Sequence, residues 1–240
     1  MLFRSMNSLT VQLTKSPLVA RVAPFAVFVV LTFGQSYFGE AGRYWFYFAK
    51  TLVGAWILWV VWPVVQEMRW KVSWEAVAVG IAVFILWVGL DRIVPTQQQL
   101  WVKLGLSKPS ATPQPEWNPF LQFGDGTILG WLFVAVRVLG SSLVVPPLEE
   151  VFYRSFLYRW IARPDFESTP LGQFAWKPLL ITTVLFGFAH NEWLAGILCA
   201  AAYQGLVCWK KRLGDAMTAH AITNFLLGGW VVWRGTWHFW

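Results

Sequence analysis

The chain is poor in charge and in cysteine, and each shortage argues against a class of protein. Only 13% of its 240 residues are Asp, Glu, Lys or Arg, whereas an ordinary soluble domain carries about 25%. Its two cysteines, Cys199 and Cys208, fall on opposite sides of any helix that contains both, so they cannot pair within it. They also provide no disulfide framework. These shortages favour a membrane protein over a soluble or disulfide-stapled one.

Long apolar runs take the place of the missing charge. Hydrophobic residues make up 57% of the chain, and a helix needs roughly 17–25 mostly apolar residues to cross a bilayer. Helices also satisfy their own backbone hydrogen bonds in lipid. The charge-free runs are 22–39, 51–66, 76–90, 193–209 and 216–233. The sequence therefore predicts an all-α, polytopic integral membrane protein with about 7–8 transmembrane helices.

The whole chain, 1–240, is expected to form a single membrane-embedded domain, with three N-terminal spans within 22–94. Basic residues precede the first span, but Arg21 lies late and no Ala-x-Ala site follows, so we expect a retained span rather than a cleaved signal peptide. The interval 95–126 is interpreted as a loop with an interfacial turn near 117–123. The predicted helices are 22–38, 44–65, 74–94, 127–145, 147–163, 177–191, 193–209 and 215–233.

Two adjacent prolines leave one junction open. Pro146 and Pro147 either separate the fourth predicted helix from the fifth or bend one long helix, since proline lacks the donor and clashes with the preceding turn.

The basic residues predict an orientation. With the amino terminus on the cytoplasmic side, the inner loops collect twelve Lys and Arg and the outer loops five, while Lys50 and Arg137 fall inside predicted spans. Such an excess marks the cytoplasmic side. The net charge of +7 is spread over short loops and forms no nucleic-acid footprint. Tryptophans near the segment ends indicate the lipid bilayer as the partner instead.

Six polar residues stand within the apolar segments, where ionised groups cost at least roughly 2.5–3.5 kcal/mol to insert and usually mark function. They are Glu149, Glu150, Arg154, His190, His220 and Asn224. Counted from the nearest basic residue on the predicted inner side, Glu149, His190 and Asn224 come to similar depths of about 18–21 Å at 1.5 Å per residue. Three separate helices therefore bring polar groups to one level.

Helix periodicity places Glu149 and Glu150 on different faces of one helix. Glu150 and Arg154 are four residues apart with the acid first, which favours an ion pair. Glu149 points about 100° away, so its carboxylate is left for chemistry as a general base. Each cluster also has a structural interpretation, because His190 at a helix end, or His220 and Asn224 one turn apart, can serve helix packing alone.

The ordered motifs Glu-Glu-x-x-x-Arg, Phe-x-x-x-His and His-x-x-x-Asn, over roughly 143–226, resemble those of the CPBP (ABI) family of intramembrane glutamic proteases, which includes the type II CAAX prenyl endopeptidases. The resemblance implies a protease-like helical core in 127–233 and a cofactor-free endopeptidase that acts on a membrane-associated protein or peptide. It makes Glu149 the general base and lets His190 hold the water. His220 and Asn224 would stabilise the oxyanion, with Glu150 and Arg154 orienting the site. A bacterial cytoplasmic membrane is the expected location.

Three other functions stay open at this point. Glu149 with two histidines could hold zinc, although the helical His-Glu-x-x-His pattern is missing. A non-catalytic scaffold or immunity protein would use the polar residues only for packing. A small proton-coupled carrier would use them as a relay, but no internal repeat is evident.

Overall fold

The computed structural model describes Leu13 and residues 15–109 and 116–240. Within these residues the chain forms nine α-helices and no strand, so the all-α prediction is confirmed. Seven are long: α1 Pro17–Gly34, α2 Gly39–Val61, α3 Trp74–Leu90, α6 Ile128–Ala162, α7 Trp176–Phe188, α8 Trp193–Lys210 and α9 Gly214–Arg234. Two are short: α4 Gln97–Lys103 and α5 Pro119–Phe123.

The fourth and fifth predicted helices form one continuous helix, α6, which is the second of the two arrangements that the proline pair left open. Two π-helical stretches, Gly140–Val144 and Val151–Leu157, flank the segment that carries the prolines and both glutamates. The Val145 amide bonds back to the Gly140 carbonyl, one residue beyond the ordinary helical partner. The wider turn therefore carries the helix past Pro146 and Pro147 without a break.

The predicted loop 95–126 contains two short helices instead. Thr96 accepts a hydrogen bond from the Gln99 amide, and the Gln99 side chain accepts one from the Thr96 amide. This capping box is a strong helix start, which the sequence reading overlooked. The second helix, α5, coincides with the predicted turn at 117–123.

Three described helices are long and apolar enough to cross a membrane, namely α1, α2 and α6, and the apolar helices α3 and α7 are shorter. The polytopic membrane class is thus supported, whereas the count of 7–8 spans remains a prediction. Polar residues interrupt the apolar character of α9, which carries Asp215, His220 and Asn224.

A network of ion pairs and hydrogen bonds connects α1 to α6. Arg21 donates from Nε to Glu67 Oε1 at 2.7 Å, and Arg159 lies 3.4 Å from the same oxygen. Ser155 bonds to both Arg21 and Glu67. Arg21, Arg154 and Arg159 are buried within helices rather than in loops, a position that the sequence already predicted for Arg154.

The α3–α9 contact positions the C-terminal part of the site. A Cβ added at Gly80 would lie 2.7 Å from the Ala219 carbonyl oxygen, so the two helices approach as closely as only glycine permits. The Thr223 hydroxyl donates to the Gly80 carbonyl at 2.9 Å. This pair fixes α9 one turn beyond His220.

Candidate active site

Glu150 is the buried centre of the site, with no exposed surface. Its Oε2 lies 3.1 Å from Arg154 Nε, which confirms the predicted ion pair. Its Oε1 lies 3.0 Å from His220 Nδ1 on α9. A carboxylate can only accept, so the Nδ1–H of His220 donates and the ring is held by a charge-assisted bond. One carboxylate therefore orients both a guanidinium and an imidazole.

Glu149 lies beside this arrangement with a different environment. Its Oε2 is buried and has no hydrogen-bond partner among the described residues. The Nε2 atom of His220 lies 3.9 Å from it. This separation is too long for a hydrogen bond but suits one bridging water. The two glutamates thus face opposite nitrogens of the same ring.

His190 follows the end of α7 and is held by its backbone. Its Nδ1 is 2.8 Å from the Phe186 carbonyl oxygen, an acceptor, so Nδ1 carries the proton and Nε2 is left as an acceptor in the neutral ring. The ring packs edge-on against Trp87 at 5.6 Å. Within the described part of the chain, no hydrogen bond or ion pair joins His190 to either glutamate.

Asn224 contacts α6 at the π-helical turn. Its Nδ2 donates to the Ser141 carbonyl at 2.8 Å. That carbonyl has lost its helical donor, because Val145 bonds to Gly140 and the next residue, Pro146, has no N–H. Asn224 therefore satisfies a carbonyl that the proline pair would leave orphaned. A carboxamide carries two N–H bonds, so the second is still available to a ligand.

The Phe186 ring brings the separate motifs together. Its centroid lies 4.7 Å from the His190 ring, 6.1 Å from the His220 ring and 4.7 Å from the Arg154 guanidinium carbon. The aromatic face favours that cation. The structure thus groups Glu149, Glu150, Arg154 and His220 directly, with His190 one ring away. Asn224 lies one helical turn beyond His220.

Sequence reasoning missed Tyr203. It is fully buried on α8, stacks on His220 with centroids 5.2 Å apart, and donates its hydroxyl to Thr223 Oγ1 at 2.7 Å. Together with Glu150 it fixes the plane of the His220 ring. A lone tyrosine in an apolar helix carries no motif, so only the fold could have identified it.

The donor set offers little to a metal ion. Within the parts of the chain that the structure describes, no three His, Cys, Asp or Glu side chains come close enough together to hold one. His220 Nδ1 is already engaged by Glu150, and His190 Nδ1 by the Phe186 carbonyl. The zinc alternative gains no support from this geometry.

The apolar helices and the buried polar site inside them support an integral membrane protein. Residues 131–226 match the family model described as Type II CAAX prenyl endopeptidase Rce1-like, and this match supports the CPBP/CAAX protease family. All six polar residues singled out from the sequence lie within the match, which confirms the predicted family. No curated protein and no solved structure matches the chain.

Proposed function

We propose that this protein is a glutamic-type intramembrane endopeptidase in which Glu149 activates water for attack on a peptide bond. The single observation that carries the proposal is the Glu149 Oε2 atom, which is buried, lacks a hydrogen-bond partner among the described residues, and lies 3.9 Å from His220 Nε2. An unsatisfied buried acceptor in a protease-family site calls for a functional explanation.

The geometry supports a water between Glu149 and His220. With Nδ1–H of His220 donating to Glu150, the neutral ring presents the lone pair of Nε2 toward Glu149, so two acceptors face each other. A water that donates one proton to each would satisfy both and leave its oxygen lone pairs free for attack. The free Nε2 acceptor of His190 is the further group that would steer this water.

The chemical step then needs one base and one oxyanion donor. Glu149 takes the proton of the water as its oxygen bonds to the scissile carbonyl carbon. The second N–H of Asn224 donates to the developing oxyanion. As the carbon–nitrogen bond breaks, Glu149 returns the proton to the leaving nitrogen. Glu150 and Arg154 stay outside the proton transfer and keep His220 in place.

The proposed substrate is a membrane-associated protein or peptide, because the site lies within apolar helices of a CAAX protease family. We place the protein in a bacterial cytoplasmic membrane with a cytoplasmic amino terminus. With Arg21, Arg154 and Arg159 removed, nine Lys and Arg still count toward the inner side against five outside. We also propose that residues 1–240 form one membrane-embedded domain, with spans in 22–94 and the protease core in 127–233.

Comparative membrane peptidomics of cells that make the wild type or Glu149→Gln tests the activity and seeks the substrate together. Wild-type cells are expected to contain cleaved fragments of one or a few membrane proteins, which Glu149→Gln cells lack. Glu40→Gln, at an exposed glutamate of α2, is the matched control and should match the wild type. Identical peptide profiles for wild type and Glu149→Gln would contradict the proposal.

A non-catalytic scaffold is the second candidate, and one observation favours it. The Asn224 side chain already serves helix packing by satisfying the Ser141 carbonyl. A packing role tolerates the isosteric Glu149→Gln change, whereas a general base does not. The same peptide comparison therefore separates the two functions.

A further inference from the structure

Two cations inside the helices have no carboxylate partner. Lys50 in α2 is 4% exposed, and its Nζ donates to Thr32 Oγ1 at 3.1 Å. Arg137 in α6 is only partly exposed. All twelve Asp and Glu of the chain lie among the described residues, and none forms an ion pair with either cation. Unpaired cations within a membrane protein indicate a functional site.

Both cations contact the same aromatic ring, that of Tyr47. The Tyr47 ring centroid lies 4.7 Å from Lys50 Nζ and 4.6 Å from the Arg137 guanidinium carbon, so the cations are no farther apart than these two distances combined. Trp117 and Trp240 also lie close to Arg137, at 4.9 and 5.9 Å. Such contacts recover only part of the cost of burying a charge. A bound anion would offset the remaining free-energy cost of burying the two charges.

An apolar groove lies next to the same ring. It runs between α2 and α6, has a volume of about 680 Å³, and includes Ala55, Trp59, Leu143 and Pro147 in its lining. Thr51 and Gly140 belong to its lining, and a Cβ added at Gly140 would meet Thr51 Oγ1 at 2.9 Å and Tyr47 Oη at 3.2 Å. The lining of the groove therefore packs directly against Tyr47, the ring that both cations contact.

We propose that the Lys50–Arg137 pair and this groove form a binding site for one anionic phospholipid. The phosphate lies against the two cations, and an acyl chain fills the groove. A headgroup without an amine, such as that of phosphatidylglycerol, complements two positive charges better than a zwitterionic headgroup does. Pro147 lies two residues before Glu149, about 200° around the helix, so the groove faces away from the candidate active site.

Native mass spectrometry of the detergent-purified full chain tests the site, with phosphatidylglycerol and phosphatidylcholine of identical acyl chains as probes. We expect the wild type to bind phosphatidylglycerol about tenfold more tightly, which corresponds to about 1.4 kcal/mol. The Lys50→Gln/Arg137→Gln double variant should lose this preference. Arg92→Gln, which removes an exposed cation elsewhere, should keep it. Equal affinities in the wild type, or a preference retained in the double variant, would overturn the proposal.

The groove is tested by filling it. Ala55→Phe places a ring in the groove and should weaken phosphatidylglycerol binding about tenfold, whereas Ala82→Phe, at an exposed alanine of α3, should not. Inorganic phosphate should fail to displace the lipid at millimolar concentration; displacement would show a phosphate site without a chain site and overturn the proposal. Should the double variant fail to fold, Arg137→Lys must keep the preference and Arg137→Gln must lose it.

Discussion

His220 Nδ1 lies 3.0 Å from Glu150 Oε1, although seventy residues of chain separate them. The bond fixes which nitrogen of His220 carries the proton, and so it fixes what Nε2 can offer to Glu149 at 3.9 Å. In the proposed mechanism Glu150 therefore positions His220 and does not act on the substrate. The neighbouring Glu149 is the proposed base.

Replacing Asn224 by alanine should lower kcat by roughly 10²–10³-fold, the usual loss for one oxyanion donor. It also removes the bond to the Ser141 carbonyl and leaves that acceptor unsatisfied, which should cost about 1–3 kcal/mol of stability. The measurement is single-substrate kinetics together with a thermal unfolding curve in detergent. Ser141→Ala is the matched control, because it removes the hydroxyl and keeps the carbonyl; a kcat in Ser141→Ala as low as that in Asn224→Ala would refute this assignment.

The three histidines of the chain offer an internal comparison. His190→Ala should lower cleavage by roughly 10²-fold or more, because it removes the acceptor that steers the water. His238→Ala should leave cleavage unchanged, since His238 pairs with Asp91 at 3.0 Å on the exposed surface. Initial rates of both variants, measured at equal protein in liposomes, check this. Equal rates in the two variants would remove His190 from the site.

Gly80→Ala should lower both stability and activity. Alanine gains up to about 1 kcal/mol in helix propensity over glycine, but the added Cβ would lie 2.7 Å from the Ala219 carbonyl oxygen, and such overpacking costs about 1–3 kcal/mol. We expect the cost of the steric clash to exceed the gain in helix propensity. The clash should displace α9, and His220 with it, away from Glu150. Gly89→Ala on the same helix has no atom within 4 Å of its Cβ, so its Tm should stay level or rise.

Acid should weaken the Arg21–Glu67 contact. Burial alone would raise the pKa of Glu67, but the hydrogen bonds and charge of Arg21 outweigh it and hold that pKa below its usual value. The stabilisation is therefore complete above the unfolded pKa, near 4.5, and is lost as the pH falls through the lower folded pKa. Thermal unfolding of the wild type and Glu67→Gln at about pH 6 and about pH 3.5 measures it. The Tm difference should shrink at the lower pH; an unchanged difference would contradict the assignment.

Local spacing predicted those features that depend on a single helix. The four-residue interval between Glu150 and Arg154 gave the ion pair, and a 100° rotation separated Glu149 from it. The depth count put Asn224 at the level of Glu149 and His190, with His220 one turn closer to the inner face, whereas in the structure His220 is the residue that approaches Glu149, at 3.9 Å.

Features that depend on contacts between distant segments could not be predicted in this way. Arg137 had no explanation until Trp117 and Trp240, far away in the chain, came to lie around it. The continuity of α6 past Pro146 depends on π-helical turns and on Asn224 from another helix. Such tertiary partners outweigh the local signal that proline gives.

The most direct measurement of the central claim is the cleavage rate of purified wild type, Glu149→Gln and Glu40→Gln in liposomes, on a substrate found by the peptide comparison. A general base contributes roughly 10²–10⁴-fold, so Glu149→Gln should lose at least about 10²-fold in kcat at an unchanged Tm, and Glu40→Gln should lose nothing. A Glu149→Gln protein that cleaves within about twofold of the wild-type rate would contradict the role of Glu149.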